Sequence, residues 1–260
     1  MDTNLAPILE FDPQPRAIIE PISPPLTAPA PPGAVMCFFA EVIQKMVDEG
    51  RLTQIGYLVS EIGRNPLYLL GESKVPLMVF HPGLGGPLGA GFLEEAIFLG
   101  VRKFIAVGGC GVLDRSIAVG HPVVLTSAVR DEGTSYHYLP PSREVESSPS
   151  AIRALEETMQ AHRMPYLLGK SWTTDAIYRE TIGRRQLRMD EGCLVVEMEA
   201  ASFFAVAKFR GVELGQVVYG GDLVEPEGWD GRRWNHRQDD RWNMFWLAVE
   251  ACERLCAPQE

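Results

Sequence analysis

Apolar runs of strand length alternate with helix-period segments along most of this chain. Residues 34–39 form an unbroken apolar run, and Val42, Ile43, Met46 and Val47 after it fall on one helix face, which Gly50 closes. Strands are predicted over 52–59, 67–70 and 75–80, followed by a glycine-rich turn from His81 to Pro87 and a helix over 91–99 ended by Gly100. A strand over 103–107 runs into Gly108-Gly109-Cys110-Gly111, and one over 122–127 leads to the polar stretch from Arg130 to His137. A Pro/Ser-rich loop covers 139–150. After it come a helix over 149–163, a strand over 167–172, an apolar run over 193–196, a buried helix over 200–209, a strand over 214–219 and an amphipathic helix over 241–255. This alternation predicts one α/β domain of three layers, with ligands gathering beyond the carboxyl ends of the strands. The Gly83 turn, the Gly108 turn, Glu197 with Glu199, and Asp222 all fall at such ends.

Residues 1–32 break the pattern. Prolines at 7, 13, 15, 21, 24, 25, 29, 31 and 32 rule out helix and central strand. Leu5, Ile8, Leu9, Phe11, Ile18, Ile19 and Ile22 nevertheless give the segment a reason to lie on the body or on a neighbouring subunit. The chain therefore divides into a Pro-rich arm, 1–32, and an α/β domain, 33–260. A formal charge of −10 speaks against nucleic acid as a partner, which would require a basic face. No apolar run is long enough to span a bilayer, and the acidic N-terminus lacks the features of a secretory signal, so no membrane partner is expected and the cytoplasm is the expected compartment. Cys37, Cys110, Cys193, Cys252 and Cys256 are scattered without a CxxC pair, as structural thiols in a reducing compartment would be.

Two acids one residue apart, Glu197 and Glu199, follow the apolar run at 193–196. Acids in such a place suit the positive end of a helix dipole, or a site that holds neutral hydroxyls. Other chemistries lack their motifs. Residues 108–111 do not have GxGxxG spacing, and neither GxxxxGK[ST] nor GxSxG occurs. His81, His121, His137, His162 and His236 have no metal-ligand spacing, so no metal is expected. Acids, glycines and backbone donors remain. That set suits a cationic transition state with a leaving group that needs a proton, as in cleavage of an N-glycosidic bond.

Gly83-Leu84-Gly85-Gly86-Pro87, residues 107–111, Arg130-Asp131-Glu132-Gly133-Thr134-Ser135-Tyr136-His137, Val196-Glu197-Met198-Glu199-Ala200 and Gly220-Gly221-Asp222 stand in the order and spacing of the nucleoside phosphorylase superfamily. Residues 34–255 resemble its uridine phosphorylase, hexameric purine phosphorylase and methylthioadenosine nucleosidase branch. The resemblance implies a single-domain α/β/α sandwich with a mixed central sheet, a nucleoside substrate, and a dimer or trimer of dimers. It also implies a place in nucleoside catabolism and purine salvage, with no cofactor other than phosphate as the co-substrate of a phosphorylase. Met198 and Glu199 would hold the ribose, Glu199 taking the 2′- and 3′-hydroxyls, with Glu197 beside them in the same pocket. Asp222 would be the general acid at purine N7, assisted by an arginine for which Arg232, Arg233 and Arg237 are candidates. Ile177, Tyr178 and Gly221 would line the base.

Departures from the family pattern cluster at the acceptor end. Where phosphorylases of the branch carry Gly-Asp-Pro-x-Arg, this chain has Cys37-Phe38-Phe39-Ala40-Glu41. Ala106 stands in place of a second phosphate arginine, and Gly109 in place of a threonine. What remains for an anion is Gly85, Gly108, Gly109 and Cys110, whose N–H groups would be bare in a loop, and Arg64, near the place of an arginine lent by a neighbouring subunit. Glu41 falls where nucleosidases of the branch carry a water-activating glutamate. These residues favour a purine-type nucleosidase. A phosphate-dependent purine or uridine phosphorylase and a non-catalytic nucleoside-binding module stay open as alternatives.

Overall fold

The computed structural model describes residues 6–22 and 24–258, so the part of the arm holding Leu5 lies outside it. The first apolar run is strand β1 (Gly33–Cys37), buried throughout. Parallel strands β4 (Leu77–Phe80) and β5 (Lys103–Val112) flank it on its two edges, which is why it reads as continuous rather than alternating. Beyond β4 the sheet continues antiparallel through β3 (Gly63–Leu70) to β2 (Leu52–Ser60). On the other side β10 (Glu213–Glu225) runs parallel to β5 and antiparallel to β6 (Pro122–Asp131). β6 pairs antiparallel with the short β7 (Glu144–Glu146), and from β6 the order passes to β8 (Leu167–Thr174) and β9 (Cys193–Glu197), both parallel steps. β9 then pairs antiparallel with the end of β5, Val196 against Gly111. Strands β5, β10, β6, β8 and β9 thus close into a ring, a feature that element alternation alone does not predict.

Helices cover both faces of this mixed sheet, as the resemblance implies. Helices α2 (Gly86–Phe98) and α5 (Ala200–Arg210) pack on one apolar cluster. Helices α1 (Ala40–Asp48), α3 (Pro149–Ala161) and α6 (Gln238–Cys256) pack on the other. Helix α5 is buried all round from Ala200 to Ala207, so it carries no polar stripe, and Gly211 ends it at φ 64°.

Several segments differ from the sequence expectation. Helix α2 starts at Gly86, because Pro87 is tolerated in a first turn, where its missing N–H is not needed. Gly108-Gly109-Cys110-Gly111 is not a turn. It continues β5, with Gly108, Gly109 and Cys110 in register with Val218, Tyr219 and Gly220 of β10, so the ladder engages this stretch and it is no loop of bare N–H groups. Between the runs at 167–172 and 193–196, where the alternation predicts no element, lies helix α4 (Ile182–Asp190), with Arg185 and Arg188 turned inward. β10 extends to Glu225 and turns back as β11 (Gly228–Asp230).

The arm lies along the body. Thr27 N–H donates to Ile55 O (2.8 Å), and Arg210 Nη1 donates to Pro15 O (2.7 Å), while Ile18, Ile19 and Ile22 remain exposed. A cleft of about 610 Å³ separates residues 14–22 and Pro24 from Glu94, Tyr138 and Arg210, away from the acids that the sequence singles out. No helix among the described residues is long and apolar enough to cross a membrane. All five cysteines are free thiols.

Candidate active site

Strand ends converge on the two glutamates. β9 delivers Glu197, and α5 begins at Ala200, leaving Met198 and Glu199 in the sharp corner between them. Both Glu197 oxygens are committed. Oε1 accepts from Ser171 Oγ (2.8 Å) and Thr173 Oγ1 (2.5 Å) of β8, and Oε2 accepts from Glu199 N–H (2.7 Å) and Ala200 N–H (2.6 Å). Glu197 therefore supplies the acceptor for the first N–H groups of α5 and ties that helix to β8. Burial raises its proton affinity, and these four donors pull against the rise.

Glu199 differs. Its Oε1 accepts one N–H, from Gly85 at 2.6 Å. That donor is aimed by the turn after β4, where Gly83 (φ 82°) and Gly85 (φ 79°) hold backbone conformations that a side chain would strain. Burial, and then the Glu197 charge, push Glu199 up to about 8. A carboxyl with a proton held near neutrality can both donate to and accept from a pair of hydroxyls.

At the opposite end of the cluster Asp222 sits where the β10–β5 register shifts between Gly220 and Leu223. Such a bulge re-aims a side chain, and bulges concentrate beside active sites. Asp222 Oδ2 accepts the indole N–H of Trp229, on β11, at 2.7 Å. Gly111 faces the same carboxylate: a Cβ there would lie 3.3 Å from Oδ2. Glu180, half-buried, stands near Asp222, and burial and then the Asp222 charge push it up to about 7.

The third corner holds Glu41 at the start of α1. Arg241, 9% exposed on α6, donates from Nη1 to Glu41 Oε1 (2.5 Å) and from Nε to Tyr219 Oη (3.0 Å), and Tyr219 Oη donates to Trp234 O (3.0 Å). Phe38 covers Gly108 and meets His81 edge-on with 5.8 Å between ring centroids. His81 Nδ1 accepts from Gly83 N–H (3.0 Å), and burial lowers the imidazole, keeping it neutral.

A model of the phosphorylase superfamily matches residues 34–255, which is most of the chain. The chain belongs to that superfamily. Guanosine phosphorylase of Halorubrum lacusprofundi is 29% identical over 184 residues, covering 68% of this chain and 76% of that protein. Uridine phosphorylase of Haemophilus influenzae is 27% identical over 194 residues, covering 69% and 74%. An AMP nucleosidase from Bacteroides thetaiotaomicron superposes with a TM-score of 0.67 at 20% identity, covering 85% of this chain and 86% of that one. As a member of the superfamily the protein is an enzyme that cleaves N-glycosidic bonds.

Within this superfamily fold the residues singled out from the sequence divide into groups. Gly85, Met198, Glu199 and Asp222 lie around the convergent strand ends. Glu197 is adjacent, but four donors occupy it. Ile177 (46% exposed) and Tyr178 (93%) belong to the turn after β8. Gly221 leaves room for Trp234, which a Cβ would approach to 3.3 Å. Cys110 is a buried thiol that donates to Tyr219 O (3.3 Å), with burial and the Asp222 charge raising it well above its usual range, so no thiolate is offered to an anion or repels one. Arg64 stacks on Tyr57 at the tip of the β2–β3 hairpin, 4.4 Å from the ring centroid, and takes no part in this cluster within one chain. Of the arginines considered for Asp222, Arg232 donates to Gly221 O (2.9 Å) and Ile117 O (2.8 Å), and Arg237 pairs with Asp240 (2.5 Å). Among the described residues no arginine reaches the Asp222 carboxylate, whose hydrogen-bond donor is the Trp229 indole. Sequence reading misses Trp229, Arg241 and Glu180 because each comes from a distant or irregular element. Only the unusual density of tryptophan after Asp222 would have flagged the first.

Proposed function

We propose that the protein hydrolyses a purine-type nucleoside, with water as acceptor. The observation that carries the choice of water is the acceptor corner: Glu41 stands there, and Ala106, Gly108 and Gly109 offer no cationic side chain. In this reading Glu199 and Met198 hold the ribose hydroxyls, and Glu197 positions Glu199 by fixing its backbone N–H and the start of α5. As the C1′–N9 bond lengthens, positive charge spreads over the sugar and is stabilised by the nearby carboxylates. Asp222 gives or shares a proton at N7 so that the base departs neutral. Water adds to C1′ and its proton passes to Glu41, so one proton is consumed at the base and one released at the acceptor. Ile177, Tyr178 and Gly221 border the base. The assembly we favour is a dimer or a trimer of dimers, because Arg64 could act on an anion only from a neighbouring chain.

One observation favours a second reading. Arg241 brings a guanidinium to within 2.5 Å of Glu41, which offsets the repulsion that Glu41 would exert on phosphate, and both curated relatives described above are named phosphorylases. A nucleoside panel assayed with and without phosphate separates the two. Free ribose formed at the same rate in both supports hydrolysis. Ribose 1-phosphate, with no turnover when phosphate is withheld, overturns it in favour of phosphorolysis.

A further inference from the structure

One buried acid has no part in the proposed chemistry. Glu132 follows the last residue of β6 and is 6% exposed. Its Oε1 accepts from Ser135 Oγ, and its Oε2 accepts from Ser135 N–H (2.9 Å) and Ser202 Oγ (2.7 Å). Ser135 Oγ itself accepts from Arg130 Nε at 2.8 Å, so a guanidinium balances the buried carboxylate through one hydroxyl. The two bonds to Ser135 are local, whereas the bond to Ser202 ties this polar stretch to the first turn of α5. Ser202 is fully buried, and its oxygen sits against the first residue of α2. A Cβ on Gly86 would collide with Ser202 Oγ and lie 2.9 Å from Thr134 Oγ1, and a Cβ on Gly89 would lie 2.7 Å from Phe203 Cε1. Gly86 and Gly89 share one face of α2, so the two helix starts meet glycine against Ser202 and Phe203. The residues just before those starts are Gly85 and Glu199, the donor and acceptor of a 2.6 Å bond.

We propose that Glu132 is a positioning residue for the sugar site: by holding Ser202 it sets α2 against α5 so that Gly85 N–H meets the Glu199 carboxyl. The proposal rests on the reading of Glu199 as the group that binds the ribose, and it gives the polar stretch after β6 the task of keeping that group in place. Ser202 has one hydroxyl proton, and its donation to Glu132 fixes the side chain and aims the oxygen at Gly86. Packing this close leaves no slack, so a shift at Ser202 passes to the α2 start and to the Gly85 donor. A misplacement near 1 Å at a group that orients substrate costs up to about 100-fold in rate. Glu132 touches no reacting atom in this scheme and acts only through Ser202 and Gly85.

The test follows the Glu199 carboxyl directly, by NMR titration of protein labelled at the glutamate carboxyl carbon, with the signal assigned by its loss in Glu199→Gln. Two variants cut the tie from opposite sides and leave every charge in place. Ser202→Ala removes the hydroxyl, and Glu132→Asp draws the carboxylate back by one methylene. The charges of Glu197 and Asp175, which also act on Glu199, stay as they are. An N–H donor favours the ionised carboxyl, so loosening Gly85 raises the titration midpoint. From about 8 in the wild type, the midpoint is expected to climb by about 0.5 or more in both variants. Nucleoside kcat/KM is expected to fall about 10-fold or more, with the melting temperature within about 4 °C of wild type. A midpoint that stays put in either folded variant overturns the proposal, because a merely structural bond would cost stability without moving it. Loss of the fold in both variants makes the contact structural and overturns it as well. A midpoint that climbs while kcat/KM holds level removes Glu199 from the sugar site, and the proposal with it. If the folded wild type cleaves no nucleoside, the cleavage reading fails by itself, and the midpoint still decides whether Glu132 positions Glu199.

Discussion

Replacing Glu199 by glutamine isolates the free energy stored in the buried carboxyl that we propose holds the ribose. Glu199 is 5% exposed, and burial beside Glu197 moves its carboxyl from an ordinary 4.5 up to about 8. Between those two values the folded protein holds a proton that the unfolded chain has released. The group's contribution to stability is thus fully present below pH 4.5 and is lost as pH rises through about 8. Each pH unit is worth about 1.4 kcal/mol, which sets a ceiling of about 5 kcal/mol. Proton sharing with Glu197 and loosening of the Gly85 contact bring the expected effect to about 2 kcal/mol. Glutamine keeps the shape and the oxygen that accepts Gly85 N–H, but has no charge to bury. The Glu199→Gln protein should match the wild type at pH 5 and exceed it by about 2 kcal/mol at pH 8.5, or about 2–4 °C in Tm. Its kcat/KM should fall at least about 100-fold, the loss typical when a group that stabilises the transition state is removed. Urea unfolding and thermal melts across pH 5–9 measure the stability difference. A difference that stays flat across that range, or a variant less stable at pH 8.5, would refute the reasoning.

Asp222→Asn is expected to abolish purine nucleoside turnover while the melting temperature stays within a few degrees, since asparagine keeps an oxygen for the Trp229 indole; retained purine turnover removes the general-acid assignment. Glu197→Gln should be costly to the fold, because an amide turns one acceptor into a donor against hydroxyls or backbone N–H groups that already donate. A loss of about 2–4 kcal/mol in urea unfolding is expected, and a loss below about 0.5 kcal/mol would show that the four contacts are not coupled to folding.

The fold was legible wherever burial is one-sided or complete. β1 reads as a strand because both of its faces are covered, and α5 reads as a buried helix because it has no polar stripe at all. Ring closure was not legible. The short antiparallel contact of β9 with β5 involves residues far apart in sequence, and pairing partners leave no trace in the composition of either strand. Glycines misled in one place. Gly108, Gly109 and Gly111 read as a turn, yet they lie within β5 because Phe38, Tyr219 and Val196 occupy the space that side chains would need. Close approach, rather than backbone freedom, is what these positions require.

The site shows the same division, and its physical basis is chain distance. The sugar end is built from one continuous stretch, in which Glu197 reaches two and three residues forward to fix the N–H groups of Glu199 and Ala200, so its order is carried by local spacing. The acceptor end has no such local grammar. Glu41 meets Arg241 across 200 residues, and Tyr219, which holds that arginine, comes from a third element. In the sequence Glu41 is an acid at a helix start, and Arg241 is one basic residue near the beginning of a terminal helix. Only the fold joins them as an ion pair, with the Arg241 guanidinium buried and the Glu41 carboxylate open to solvent. In the proposed reading the acceptor depends on the balance between those two charges, and neither can be read without the other.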